Sequence, residues 1–290
     1  MKRRRLGWAL AFFGAAATGG ATTYTSEVEQ WRQKREASLK AEGGWLSLAG
    51  LFWLKEGANA VGSAADSPVK LPRGPERIGV IEYHNGKATF RIEAGAPVTV
   101  NGKSVREAVL TSDAGGKPDV VKTGDCTFFV IHRGERDAIR LKDNQSETRT
   151  HFTGLHWYPV NPEYRVTAKW TPYNPPKQVA IPNILGETEH DQCPGIAEFT
   201  LRGQTIRLEP TVEDGSLFFV FKDQTAGKET YPAGRFLHTD MPKDGKVVLD
   251  FNEAYNPPCA FTPYATCPLP TKQNRMPIRL EAGELNFGHH

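Results

Sequence analysis

The sequence predicts an all-β, mainly antiparallel protein entered through a single amphipathic helix. Three observations carry that reading. From Trp45 onward, short alternating apolar runs are broken by Gly, Pro, Asn and Asp, which is the punctuation of strands and turns. Helical spacing of apolar residues appears clearly in one place, residues 26–42. At 290 residues, the chain is long enough for two β units of ordinary size.

Residues 1–21 read as an export signal: Lys2 to Arg5 are basic, Leu6 to Ala17 are apolar, and small residues follow. The apolar run is shorter than the ~20 residues that span a bilayer. The expectation is therefore an exported, periplasmic or extracellular protein with no stable membrane span once the leader is cleaved; an uncleaved anchor is the alternative. Ser26-Glu-Val-Glu29 has the form of a capping box. Val28, Trp31, Arg35 and Leu39 then recur on one helical face, and Gly43-Gly44 stops the run.

Strands are expected at Leu48–Leu54, Ile78–His84, Ala88–Ile92, Val98–Val100, Cys126–Arg133 and Ala138–Leu141, forming a first unit over 45–145. His84-Asn85-Gly86-Lys87 is a hairpin signal with Asn-Gly at its tip, and Arg133-Gly134-Glu135-Arg136 is a second turn. A connection rich in Trp, Tyr and Pro opens the second unit, 146–290. Its expected strands are Arg165–Trp170, Gln178–Pro182, Ile196–Leu201, Thr205–Glu209, Leu217–Lys222, Lys246–Phe251 and Ile278–Glu281, arranged as a barrel or a sandwich. The fully apolar Phe218-Phe219-Val220-Phe221 predicts a strand buried on both faces.

Composition excludes some functions. The net charge of +3 is owed to the four basic residues of the leader, and no basic face with interleaved aromatics follows, so nucleic acid is not expected as a partner. Four cysteines in an exported chain allow two disulfides. Cys259 and Cys267 enclose a loop that a bridge could close, with two reduced thiols as the alternative. No Gly-x-Ser-x-Gly elbow is present. The spacing of His151 and His156, and of His190, Asp191 and Cys193, matches no metal motif, so no metal or cofactor is expected.

Residues 59–141 resemble a forkhead-associated domain, through Asn59-Ala-Val-Gly62-Ser63, Val98-Thr-Val-Asn101-Gly102-Lys103 and Thr123-Gly124-Asp125. The resemblance implies a β-sandwich. That family grips phosphothreonine with an arginine after the first glycine and a later Ser-x-x-His. Here those positions hold Ser63 and, in Ser67-Pro-Val-Lys70, a lysine, so phosphopeptide binding is not expected. From Glu27 to the end, the chain also resembles the domain-of-unknown-function 1684 family. Trp45 to Gly57, Gly234-Arg-Phe-Leu237, Asp250 to Pro270 and Asn274-Arg275 carry that resemblance.

The segment Asp250–Pro270 is the candidate site. It holds two cysteines, four aromatics and five prolines in 21 residues, and each proline removes backbone freedom. Asp223, Arg235, Asp250, Asn252, Tyr255, Asn256, Cys259 and Tyr264 could line one pocket at the end of the second unit. Arg235 would supply charge, Asp250, Asn252 and Asn256 hydrogen bonds, and Tyr255 and Tyr264 walls. The expected function is binding of a small polar or anionic ligand. The alternatives are an enzyme using the same pocket, with Asp250 or Glu253 as base or Cys259 as nucleophile, and a structural envelope protein in which the loop and a buried Arg235–Asp223 or Arg235–Asp250 pair act as braces.

Overall fold

The structure is a computed structural model that describes residues 18–288. The leader reading falls outside the described residues except at 18–21, which open helix α1 (Thr18–Lys40). The helix therefore starts earlier than the capping-box pattern suggests. Ser26 and Glu29 lie inside it, where the preceding turns already accept their backbone N–H groups, and the Ser26 hydroxyl instead accepts from the Gln30 side chain at 3.3 Å. Gly43 ends this region in a left-handed conformation (φ +67°), and its N–H donates to Asn144 Oδ1 at 2.8 Å. Among the described residues, no helix is long and apolar enough to cross a membrane.

The first unit contains β1 (Leu48–Trp53), β2 (Gly57–Gly62), β3 (Val69–Lys70), β4 (Gly79–His84), β5 (Lys87–Ile92), β6 (Thr99–Val100), β7 (Glu107–Leu110), β8 (Val121–Thr123), β9 (Cys126–Arg133) and β10 (Arg136–Asp143). Two five-stranded sheets, β1-β10-β9-β8-β6 and β3-β2-β4-β5-β7, enclose a core that includes Val61, Ile81, Phe90, Phe128, Val130, Ile139 and Leu141. Asn85 and Gly86 both have positive φ (49° and 77°), as a two-residue turn between right-twisted strands requires. The Ser63 hydroxyl donates to Gly74 O and so serves the loop it stands in.

The second unit contains β11 (Arg165–Pro182), β12 (Thr188–Leu201), β13 (Gln204–Leu208), β14 (Thr211–Glu213), β15 (Ser216–Phe221), β16 (Arg235–Thr239) and β17 (Lys246–Asp250). Its sheets, β13-β12-β11-β17 and β14-β15-β16, are open, so the two-layer alternative is realised and the barrel is not. The two strands expected at 165–170 and 178–182 are one long strand with a register irregularity between Pro172 and Lys177. Ile278–Glu281 is not a strand. Its backbone is satisfied otherwise: Leu280 N donates to the Asp223 carboxylate at 2.7 Å, and Ile278 O accepts from Gln224 N.

Strand alternation sorts the side chains between two cores. On β15, Leu217, Phe219 and Phe221 enter the core between the two sheets of the second unit. Phe218 and Val220 point the other way, into a smaller cluster with Leu48, Phe236, Ala265 and Cys267. Both faces are thus covered, the second one by the first unit and the late segment. On β10, Ile139 and Leu141 face the sandwich core, which turns Arg140 toward the second unit.

Helix α1 lies against both units. Val28 and Leu39 are buried. Arg32 sits 4.8 Å over the Trp157 ring and donates to Tyr158 O, while Glu36 accepts from Leu155 N at 3.1 Å. Trp157 thus packs on the helix, where Trp31 also meets it edge-on at 5.9 Å.

Candidate functional site: a charged cavity between the units

A cavity of about 600 Å³ lies where α1, the first sandwich and the second unit meet, a volume typical of small-molecule sites. Its basic side is built by β9 and β10. Arg133 ends β9, and Arg140 stands on the outward face of β10. Both donate to the hydroxyl of Thr266, at 3.2 and 3.1 Å. Arg133 also pairs with Asp113 at 2.9 Å.

Arg140 is only 5% exposed, and among the described residues its Nε has no hydrogen-bond partner. Burial, and then Arg133, push its pKa down to about 10. Burial and Arg140 likewise lower that of Lys142. The guanidinium still stays charged at neutral pH. A buried, incompletely satisfied cation is costly. Such groups persist where something else uses them.

Aromatic rings form another wall. His238 stacks on Phe218 with centroids 4.7 Å apart and lies nearly parallel to Tyr255 at 6.1 Å. Phe236 meets Phe218 edge-on at 4.9 Å. Arg35 of α1 lies 4.4 Å over the Tyr255 ring and 3.8 Å from Glu284. Burial lowers the Arg35 pKa and raises that of Glu284 to about 7.

The residues singled out from the sequence separate into three places. Arg235 is on β16, but alternation sends it into the core opposite the cavity. There it is 1% exposed, pairs with Asp223 at 3.4 Å, and donates to Leu280 O and Ala282 O. Asp223 also accepts from the Thr225 hydroxyl at 2.7 Å. This is an internal brace.

Asp250 and Asn252 do share one side, and they tie α1 down. Asp250 accepts from the Tyr24 hydroxyl at 2.9 Å, and Asn252 donates to Asn161 O at 2.9 Å and to Tyr24 Oη at 2.8 Å. Asn256 is buried and donates to Leu285 O. Tyr264 is exposed. All four cysteines are free, so the bridge is not formed in this structure. Instead, Cys259 N donates to Cys267 Sγ at 3.2 Å.

Of the eight, Tyr255 alone lines the cavity. The late segment nevertheless contributes strongly to it, through Tyr255, Pro258, Ala265, Thr266, Cys267 and Pro268.

Sequence reasoning did not place Arg35, Arg133 or Arg140 at a site. One signal was present: Ile139-Arg140-Leu141-Lys142 alternates apolar and basic side chains along a strand. A strand with one basic face and one core face demands an explanation for the basic one.

The exposed His190 and Asp191 stand apart from Cys193, whose buried thiol donates to Gly195 O. Among the described residues, no group of three or more His, Cys, Asp or Glu side chains could hold a metal ion.

Fold and cavity together define a two-unit, mainly antiparallel β protein with an aromatic-walled chamber at the junction of its units, lined by Arg35, Arg133 and Arg140 on one hand and by Glu189, Asp191, Glu213 and Asp214 on the other. Residues 150–285 match the family described as "Protein of unknown function (DUF1684)". The chain belongs to that family. The match covers the second unit and the late segment, whereas Trp45–Gly57 lies outside it. Among solved structures, the chain is similar to the solution NMR structure of an uncharacterized protein of Haloarcula marismortui. That likeness has 30% identity, covers 50% of this chain and 82% of the other, and has a TM-score of 0.42. No curated protein matches the chain.

Proposed function

We propose that the protein binds a small anionic ligand in the cavity between its units, with Arg140 and Arg133 as the anion grip. The observation that carries this reading is Arg140: it lines the cavity, is buried and charged, and donates to the Thr266 hydroxyl while its Nε has no partner among the described residues. In its neighbourhood Arg133, Arg140 and Lys142 are three cations, and Asp113 is the one carboxylate that pairs with Arg133. An anion entering the chamber would regain the charge-assisted hydrogen bonds that Thr266 alone cannot supply. The proposed setting is an exported compartment, on the strength of the basic and apolar leader in residues 2–21.

A thermal-shift series with phosphate, citrate, benzoate and phenyl phosphate tests the reading. At least one of these anions is expected to raise the melting temperature of the native protein and to leave that of Arg140→Met unmoved. Equal shifts in both proteins, or none in either, would remove the anion site. The enzyme alternative places its chemistry elsewhere, because the Asp250 carboxylate is engaged by Tyr24 and Asn252.

A further inference from the structure

The cavity carries charge of both signs, and the two signs stand apart. Arg133 and Arg140 come from the first sandwich. The second unit brings Glu189 and Asp191 from β12, Glu213 from the end of β14, and Asp214 from the turn that follows it. Among the described residues, Arg133 pairs with Asp113 and Glu213 with His238, and no ion pair crosses from the basic pole to the acidic pole.

Its nearest cationic candidate is His238, whose Nε2 lies 3.5 Å from Glu213 Oε2. Burial holds that imidazole below its ordinary range, which disfavours its charged form beside the carboxylates. The poles also differ in wetness. Arg140 is 5% exposed, whereas Asp191, Glu213 and Asp214 are all exposed. The rings of Phe218, Phe236 and Tyr255 line the same chamber and pack edge-on against one another.

We infer that the ligand is a zwitterion of the amino-acid or short-peptide class. Its carboxylate is held at depth by Arg133 and Arg140, its ammonium group at the mouth by Glu213, Asp191 and Asp214, and its apolar side chain against the rings between. The inference rests on the anion-binding reading and adds the second pole. A guanidinium fork matches a carboxylate in plane and charge. An ammonium group is strongly hydrated and is best taken by carboxylates that leave it partly in water. The unpartnered Nε of buried Arg140 is what makes this charge separation more than a solvated acidic edge.

Calorimetric titration of the full chain with three probes tests it: glycylphenylalanine, its N-acetyl derivative and its C-terminal amide. The free dipeptide is expected to bind, and either modification to weaken binding about tenfold or more. Glu213→Gln should weaken the free dipeptide while leaving the residual affinity of the acetylated probe unchanged. If the acetylated probe binds as tightly as the parent, the ammonium pole is wrong and the anion grip stands. If the amide binds as tightly as the parent, the anion grip itself fails. If none binds while phosphate or benzoate still stabilises the protein, the zwitterion class is overturned and the anion site remains.

Discussion

Arg133 and Arg140, on the paired strands β9 and β10, converge on the single hydroxyl of Thr266 at 3.2 and 3.1 Å. One hydroxyl offers two lone pairs, and two guanidiniums occupy both. No acceptor capacity is left there for the Nε of Arg140, which has no other partner among the described residues. The first unit thus contributes repelling cations to a chamber closed by the second unit, and the arrangement sacrifices stability at the place where a ligand would recover it.

Arg140→Met tests that relationship. Removing a buried charge that lacks a carboxylate partner, with a side chain of similar length, is expected to stabilise the ligand-free protein by on the order of 1 kcal/mol. Urea melts would show a higher midpoint at unchanged slope. A lower midpoint would mean that Arg140 is a structural brace.

Arg235 should behave oppositely. Its pair with Asp223 is fully internal, both side chains being 1% exposed, and Arg235 also holds two carbonyls. Asp223→Ala leaves that cation uncompensated, and a loss of about 3–5 kcal/mol is expected. A loss below about 1 kcal/mol in urea denaturation would contradict the brace assignment.

Tyr24→Phe removes the hydroxyl that joins α1 to Asp250 and Asn252. Because Tyr24 is only half-buried, the expected cost is about 1 kcal/mol. It should appear first as faster protease cleavage within α1, before any change in the global melt. Unchanged cleavage would show that Val28, Leu39 and the contacts of Arg32 hold the helix without it.

Stability should fall as pH rises from about 4.5 toward 7. Burial lifts the folded-state pKa of Glu284, and of Glu253, to about 7, whereas an unfolded glutamate titrates near ~4.3. Across that interval the native state holds the extra protons, so raising pH favours unfolding. Glu284→Gln should flatten the slope and be the more stable protein at about pH 8. Thermal melts across the interval would check this, and a wild-type stability that rises with pH through it would oppose it.

Much of the architecture was legible in the sequence because its causes are local. The Asn85-Gly86 turn, the strand at Cys126–Arg133 and the doubly buried Phe218–Phe221 run all arise from turn chemistry and period-two patterning. The late segment stood out for a similar reason, since its prolines and aromatics are unusual wherever they fold. The strand expected at Ile278–Glu281 failed because Asp223, distant in sequence, supplies the acceptor that Leu280 N would otherwise find in a neighbouring strand.

The sequence by itself determined a strand at Ala138–Leu141 with two faces, one of them carrying Arg140, and singled out Arg235, whose strand β16 only the structure showed. Only the tertiary structure decided which arginine meets a carboxylate and which meets a cavity. Arg235 falls on the face that the second core covers, beside Asp223, and is neutralised there. Arg140 falls on the face that a different unit covers incompletely. Alternation is a property of one strand, but what covers each face is set by packing between units far apart in the chain. That packing turns one buried arginine into a brace and leaves the other facing the chamber.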